Sequence, residues 1–161
     1  MSLRSVALIG MMVAVFLGST ASARAQDLSD AAIAARDFMF ANEKAPGIKA
    51  TESGLQYRIE KSGDPSQPLI GPLDTVTAHY EGKLLNGKVF DSSFSRGEPI
   101  TFQPARVIRG WTEALTMMRP GDVWTVYVPP RLGYGDRDMG DGTIPPNSVL
   151  IFKIEVLSVQ K

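Results

Sequence analysis

The sequence predicts an α+β fold: a strongly bent antiparallel β-sheet wrapped around one short α-helix, with a short helix ahead of it. Three observations predict it. Strand-length runs rich in alternating apolar residues recur at residues 55–60, 76–80, 123–128 and 149–156. Among them Trp111, Ala114, Leu115 and Met118 stand at i, i+3, i+4 and i+7, the spacing of one helix face. Strands and helices do not alternate as a parallel sheet requires, and Asn86-Gly87 marks a tight hairpin. A helix this short is not stable alone, so its apolar face must lie on the flanking strands.

Taken in order, residues 1–25 read as a secretory signal peptide. Arg4 gives a basic start, residues 6–17 are an uncharged apolar run, and Ala-x-Ala patterns end at Ala23 and Ala25. That run of about 12 residues is short of the ~20 that a bilayer-spanning helix needs, so no permanent membrane anchor is expected. Cleavage after Ala25 makes Gln26 the first mature residue, with Ala23 the other possible point. Residues 26–54 read as a short accessory helix and linker. The helix is expected over 27–44, with Leu28, Ala32, Ala35 and Met39 on one stripe and Asp27 or Ser29 as its cap. Pro46-Gly47 ends it, while Ile33 and Phe40 fall on another side. At about 1.5 Å per residue this helix is only about 27 Å long, and a monomer is expected.

Residues 55–161 form the domain proper. Turn residues over 62–68 make a loop, residues 88–93 follow the hairpin as a strand, and residues 99–104 are extended between prolines. The central helix starts near Arg109, runs to about Met118 and is stopped by Pro120-Gly121. Residues 129–148, rich in Gly, Pro and Asp, are read as one long loop.

Composition removes several functions. Seventeen basic and seventeen acidic side chains cancel, which leaves no pull toward nucleic acid or an anionic membrane. Cysteine is absent, and with it any disulfide, thiolate metal site or thiol nucleophile. The single histidine, His79, lies in a strand with no partners signalled by spacing, so it reads as a strand residue, neither a base nor a ligand. Asp136, Asp138 and Asp141 suggest a calcium loop, but Asp141 stands where glycine is required and Asn147 where glutamate is. No phosphate-cradling glycine motif is present, and neither metal nor cofactor is expected. What remains is a surplus of large apolar residues near turns: Tyr80, Phe90, Phe102, Ile108, Trp111, Tyr134, Ile144 and Phe152. Phe90, Tyr134 and Ile144 lie beside Asp, Gly and Pro, where a binding wall is more expected than a core.

Seven blocks then carry a resemblance: residues 76–82 (VTAHYEG), 87–93 (GKVFDSS), 107–111 (VIRGW), 121–122 (GD), 133–135 (GYG), 144–146 (IPP) and 150–157 (LIFKIEVL). In this order and spacing the chain resembles the FKBP-type peptidyl-prolyl cis-trans isomerases. The lead-in over residues 46–57 is similar to the exported bacterial branch, the macrophage infectivity potentiator type included. The resemblance implies an enzyme that rotates X-Pro bonds in exported, partly folded polypeptides, in the periplasm or secreted. It implies inhibition by macrolides; the alternative is a non-catalytic proline-binding or chaperone module of the same fold. It implies Trp111 as pocket floor, Tyr80, Phe90, Phe102, Val107, Ile108, Tyr134, Ile144 and Phe152 as walls, and Arg96 holding Asp91. The acting polar groups are then Asp91, the Tyr134 hydroxyl and the Ile108 backbone N–H. Two departures stand out: Ile100 occupies a position where many members carry an aromatic residue, and the loop from Tyr134 to Ile144 is one residue longer and more polar at its tip.

Overall fold

The computed structural model describes residues 18–161 apart from Asp138 and Asp141. The expected apolar run of the signal peptide, residues 6–17, lies outside the described residues, as do two of the three aspartates weighed for calcium.

Seven strands form one antiparallel sheet: β1 (Lys49–Ala50), β2 (Gln56–Lys61), β3 (Thr75–Lys83), β4 (Val89–Ser92), β5 (Ile100–Phe102), β6 (Val123–Val128) and β7 (Leu150–Gln160). The order across the sheet is β1-β2-β6-β7-β3-β4, with β5 also on β3. One edge of β3 follows β7 from Thr75↔Gln160 to Lys83↔Ile151. Its other edge is shared, with Val76–Ala78 on β5 and Glu81–Lys83 on β4. That division, with a register shift between Thr77 and Ala78 against β7, gives the sheet room to bend.

Burial in β3 alternates at every residue from Val76 to Gly82, as a strand with one wet face should. Its inward residues Val76, Ala78 and Tyr80 meet Val126 and Val128 of β6 and Ile154 and Val156 of β7 in one core. Full burial of each valine or isoleucine side chain there contributes about 1.5–3 kcal/mol. The helix α3 (Arg109–Thr116) fills the concave side with Gly110, Trp111, Ala114 and Leu115 buried. Gly110 sets how closely it lies: a Cβ there would stand 2.6 Å from Val128 Cγ1, so only glycine lets the helix rest on β6. The α-helix ends at Thr116, the Met117 and Met118 N–H groups close onto the Ala114 and Leu115 carbonyls at 3.0 Å, and Met118, beyond the last turn, is still fully buried.

Three elements differ from expectation. The sheet begins at Lys49, because β1 pairs with β2 ahead of Leu55, so the boundary at 54/55 divides the sheet. A single-turn helix, α2 (Ser93–Arg96), starts at the last residue of the strand expected over 88–93 and continues where no element was expected. The N-terminal helix α1 spans Gly18–Asn42, starting nine residues before Asp27, because alanine and serine continue the helix through the small-residue zone.

The face of α1 is also rotated. Ala35 is buried and Leu28, Ala31, Phe38 and Met39 are partly buried, whereas Ala32 is exposed. Ala31 is the residue one i+3 step from Leu28, which explains the exchange. Buried Gln56 docks the helix end, donating to the Met39 carbonyl at 2.8 Å and accepting from Asn42 Nδ2 at 2.8 Å. Further along, Asn147 Nδ2 donates to the Leu28 carbonyl at 3.1 Å.

Candidate functional site

A cavity of about 1030 Å³ opens between α3, the inner face of β3, β4 and β7, and the loop after β6. Its floor is Trp111, 4% exposed. Three rings pack on that indole: Tyr80 edge-on at 5.1 Å, Phe152 edge-on at 5.2 Å and Phe102 tilted at 5.4 Å. The indole Nε1–H is buried and has no hydrogen-bond partner among the described residues.

Phe90 stands on the far wall, edge-on to Phe152 at 5.6 Å. Gly82 makes that pair possible. A Cβ there would lie 2.6 Å from the Phe90 ring and 2.7 Å from the Phe152 ring.

The polar corner is built by a short piece of chain. Asp91, the last residue but one of β4, lines the cavity, Ser92 caps α2 by accepting from the Ser95 N–H at 3.3 Å, and Gly97 closes it with φ at 74°, a left-handed position suited to glycine. That one turn carries Arg96 back to Asp91. Arg96 Nη1 donates to Asp91 Oδ1, the Tyr80 hydroxyl donates to Asp91 Oδ2, and Arg96 Nη2 donates to the Tyr80 hydroxyl at 3.2 Å.

The pKa directions follow from this triangle. Burial pushes the Asp91 carboxyl up, but the Tyr80 O–H and the Arg96 guanidinium together hold it below the usual carboxylate range. Burial, then the bond to the carboxylate, raises the Tyr80 phenol. Asp91 is therefore an ionised, doubly satisfied group, suited to orient dipoles and not to exchange protons.

Below the corner, buried Ser93 ties it to β3. Its Oγ accepts from the Tyr80 N–H at 2.8 Å, donates to the Tyr80 carbonyl at 3.2 Å and meets His79 Nδ1 at 2.9 Å. His79, stacked on Phe94 at 4.8 Å, faces away from the cavity as the neighbour of inward Tyr80.

Opposite, Val107 and Ile108 line the cavity ahead of α3. Ile108 is the N-cap, its carbonyl accepting from the Trp111 and Thr112 N–H groups at 3.0 and 3.1 Å. Its own N–H has no acceptor among the described residues. Tyr134 and Ile144 complete the wall from the loop after β6, where a 3₁₀ turn (Pro130–Leu132) and the bond from the Gly135 N–H to the Pro130 carbonyl at 2.8 Å hold the tyrosine half-buried.

Nine of the eleven residues singled out in the sequence line this cavity: Tyr80, Phe90, Asp91, Val107, Ile108, Trp111, Tyr134, Ile144 and Phe152. Two stand behind it. Phe102 backs the indole from β5, and Arg96 reaches the site only through Asp91 and Tyr80. Ile100 lines the cavity from β5, and four arginines from other segments, Arg106, Arg109, Arg131 and Arg137, line it too. Sequence reasoning missed Ser93 and Gly82, whose roles depend on contacts eight and more residues away.

The bent sheet, the buried helix and the aromatic floor together define a domain with a cleft that is aromatic at its floor and charged among its lining. The chain belongs to the FKBP-type peptidyl-prolyl cis-trans isomerase family, whose profile matches residues 68–157. A second profile, the domain amino-terminal to such isomerases, matches residues 8–59 and so overlaps both the expected leader and α1. Among curated proteins it is similar to the peptidyl-prolyl cis-trans isomerase Mip of Coxiella burnetii, 49% identical over 126 residues, 78% of this chain and 54% of that protein. It is likewise similar to the outer membrane protein MIP of Legionella longbeachae, 51% identical over 124 residues, 77% of this chain and 52% of that one. Among solved structures, FkpA from Escherichia coli superposes with a TM-score of 0.79 at 36% identity, over 88% of this chain and 65% of the other. The chain spans about half the length of the curated relatives it matches.

Proposed function

We propose that this chain is a peptidyl-prolyl cis-trans isomerase that turns X-Pro bonds of exported, partly folded polypeptides within the Trp111 cavity. One observation carries the reading: a cavity floored by Trp111 and walled by Tyr80 and Phe152, beside an ionised carboxylate whose oxygens are already claimed. That site is suited to twisting an amide and poorly suited to proton transfer.

Rotation about X-Pro is slow because the amide must give up conjugation, a barrier of ~18–20 kcal/mol. No bond to an outside atom forms or breaks. As the bond twists, the nitrogen recovers its lone pair and the carbonyl loses charge separation, so the transition state is the less polar of the two. Seating the proline ring on Trp111 between Tyr80, Phe90 and Phe152 withdraws the water that favours the planar form. The Ile108 N–H and the Tyr134 hydroxyl fix the chain on either side. Asp91, held by Arg96 and Tyr80, sets the field around the turning carbonyl. Every ~1.4 kcal/mol of preference for the twisted form is worth tenfold in rate.

The same cavity is proposed to take macrolide inhibitors. Residues 1–25 are proposed as a leader removed after Ala23 or Ala25, placing the mature protein in the periplasm or outside the cell. Among the described residues no helix is long and apolar enough to cross a membrane.

The test is proline isomerisation in a short chromogenic peptide with and without the purified protein. A rate that rises in proportion to protein and is blocked by rapamycin supports the enzyme. Tight peptide binding with no rate change would leave the non-catalytic module instead.

A further inference from the structure

The cavity mouth carries a charge pattern that apolar enclosure does not require. Its lining includes four arginines, Arg106, Arg109, Arg131 and Arg137, against two aspartates, Asp91 and Asp136. The whole chain is charge-balanced. Asp91 is already paired with Arg96, which lies outside the lining. Among the described residues, the ion pairs of the chain engage Arg36, Arg58, Arg96 and Lys161, and none of the four mouth arginines.

The four divide by element. Arg131 donates to the Ser53 carbonyl, and Arg137 belongs to the loop that also carries Asp136 and, in sequence, Asp138 and Asp141. Arg106 precedes α3 and Arg109 is its first residue, and this stretch of chain places no carboxylate in the lining. Both are exposed, and they flank Val107 and Ile108, which form the wall itself. A guanidinium is a planar fork that matches a carboxylate in two parallel hydrogen bonds, and it holds its charge at every working pH. Two such forks beside an apolar floor suit a polypeptide whose proline is buried while a neighbouring acidic side chain stays at the rim.

We propose that the mouth selects proline-containing segments flanked by acidic side chains, with Arg106 and Arg109 as the carboxylate contacts. The proposal rests on the isomerase reading of this cavity and adds the class of sequence it prefers. Rim contacts of this kind act mainly through capture and are weakened by salt.

The test compares three heptapeptides with a central Leu-Pro, flanked on both sides by Glu, by Gln or by Lys, at about 20 mM and about 500 mM sodium chloride. At low salt kcat/KM should be roughly fivefold higher for the Glu peptide than for the Gln peptide, as two exposed ion pairs would give. The difference should lie in KM, shrink at high salt and reverse in sign for the Lys peptide. In an Arg106→Gln, Arg109→Gln double variant the Glu-to-Gln ratio should fall to about one, a ratio that each preparation calibrates internally. Equal values for Glu and Gln in the native protein, or a preference for Lys, would overturn the proposal; the latter would mean that the loop aspartates set the sign of the field. If no peptide is turned over, the isomerase reading fails on its own. Fluorescence anisotropy of the same labelled peptides then still decides this inference, with tighter binding of the Glu peptide supporting it and equal binding ending it.

Discussion

Tyr134 and Asp91 are both polar groups of the cavity, yet the structure gives them different work. Asp91 is enclosed by its own partners, whereas the Tyr134 hydroxyl has none within the chain among the described residues. Tyr134→Phe should thus leave folding intact and lower kcat/KM about fivefold to tenfold, the loss of one hydrogen bond to a bound chain. Asp91→Ala should cost more, since it also frees Tyr80 and Arg96. Steady-state kinetics on both variants, alongside thermal melts, would check this; values within twofold of the native protein for both would refute the polar assignment. A second residue-scale expectation concerns pH. The folded pKa of Asp91 is depressed, so its contribution to stability is present above the unfolded value, about pH 4, and is lost as pH falls through the folded one. Melting temperatures of native protein and Asp91→Asn should accordingly differ at neutral pH and converge as the solution becomes acidic. A gap that stays constant to about pH 2 would show that the carboxylate charge contributes nothing.

At the scale of elements, strands and the central helix were legible because their periodicity reports a single buried face. Trp111, Ala114, Leu115 and Met118 were all placed inward by spacing alone, and all four are buried. What was hidden in the sequence depends on closure at a distance. α2 is one turn, too short for periodicity, and exists because Ser92 and Gly97 cap it and Arg96 finds Asp91. β1 is two residues recruited by β2. The extra turns at the start of α1 follow from a small-residue zone that suits a cleavage site and a helix equally. The rim arginines fall in different segments, and only the fold gathers them. β5 offers the element-scale prediction. Ile100, half-buried on that strand, gives the cavity an aliphatic wall where an aromatic ring would offer more contact area. Ile100→Phe should tighten rapamycin binding by about threefold to tenfold, measured by calorimetry, the worth of one added aromatic contact. Unchanged affinity would mean that this wall does not touch the ligand.

For the whole molecule the open question is whether α1 closes on its own domain or joins two copies. Its inward side is occupied: Phe38 lies 6.2 Å from the Tyr127 ring, Ala35 is buried, and Gln56 and Asn147 hold the backbone at Met39 and Leu28. Its outward side shows Ile33 and Phe40, 44% and 64% exposed. They stand seven residues apart, about 10 Å along the axis. The Lys44 ammonium sits 3.8 Å from the Phe40 ring centroid, so part of that ring is already covered by a cation. A stable interface takes about 800 Å² from each partner, and two separated side chains supply only a fraction of it. The form spanning residues 26–161 should therefore sediment as a monomer at micromolar concentration. A dimer that dissociates on Phe40→Glu would overturn this and make the outward stripe a two-fold contact. Two cavities on one particle would then hold a single unfolded chain with an avidity that neither has alone, which competition by a peptide carrying one proline against a peptide carrying two well-spaced prolines would measure.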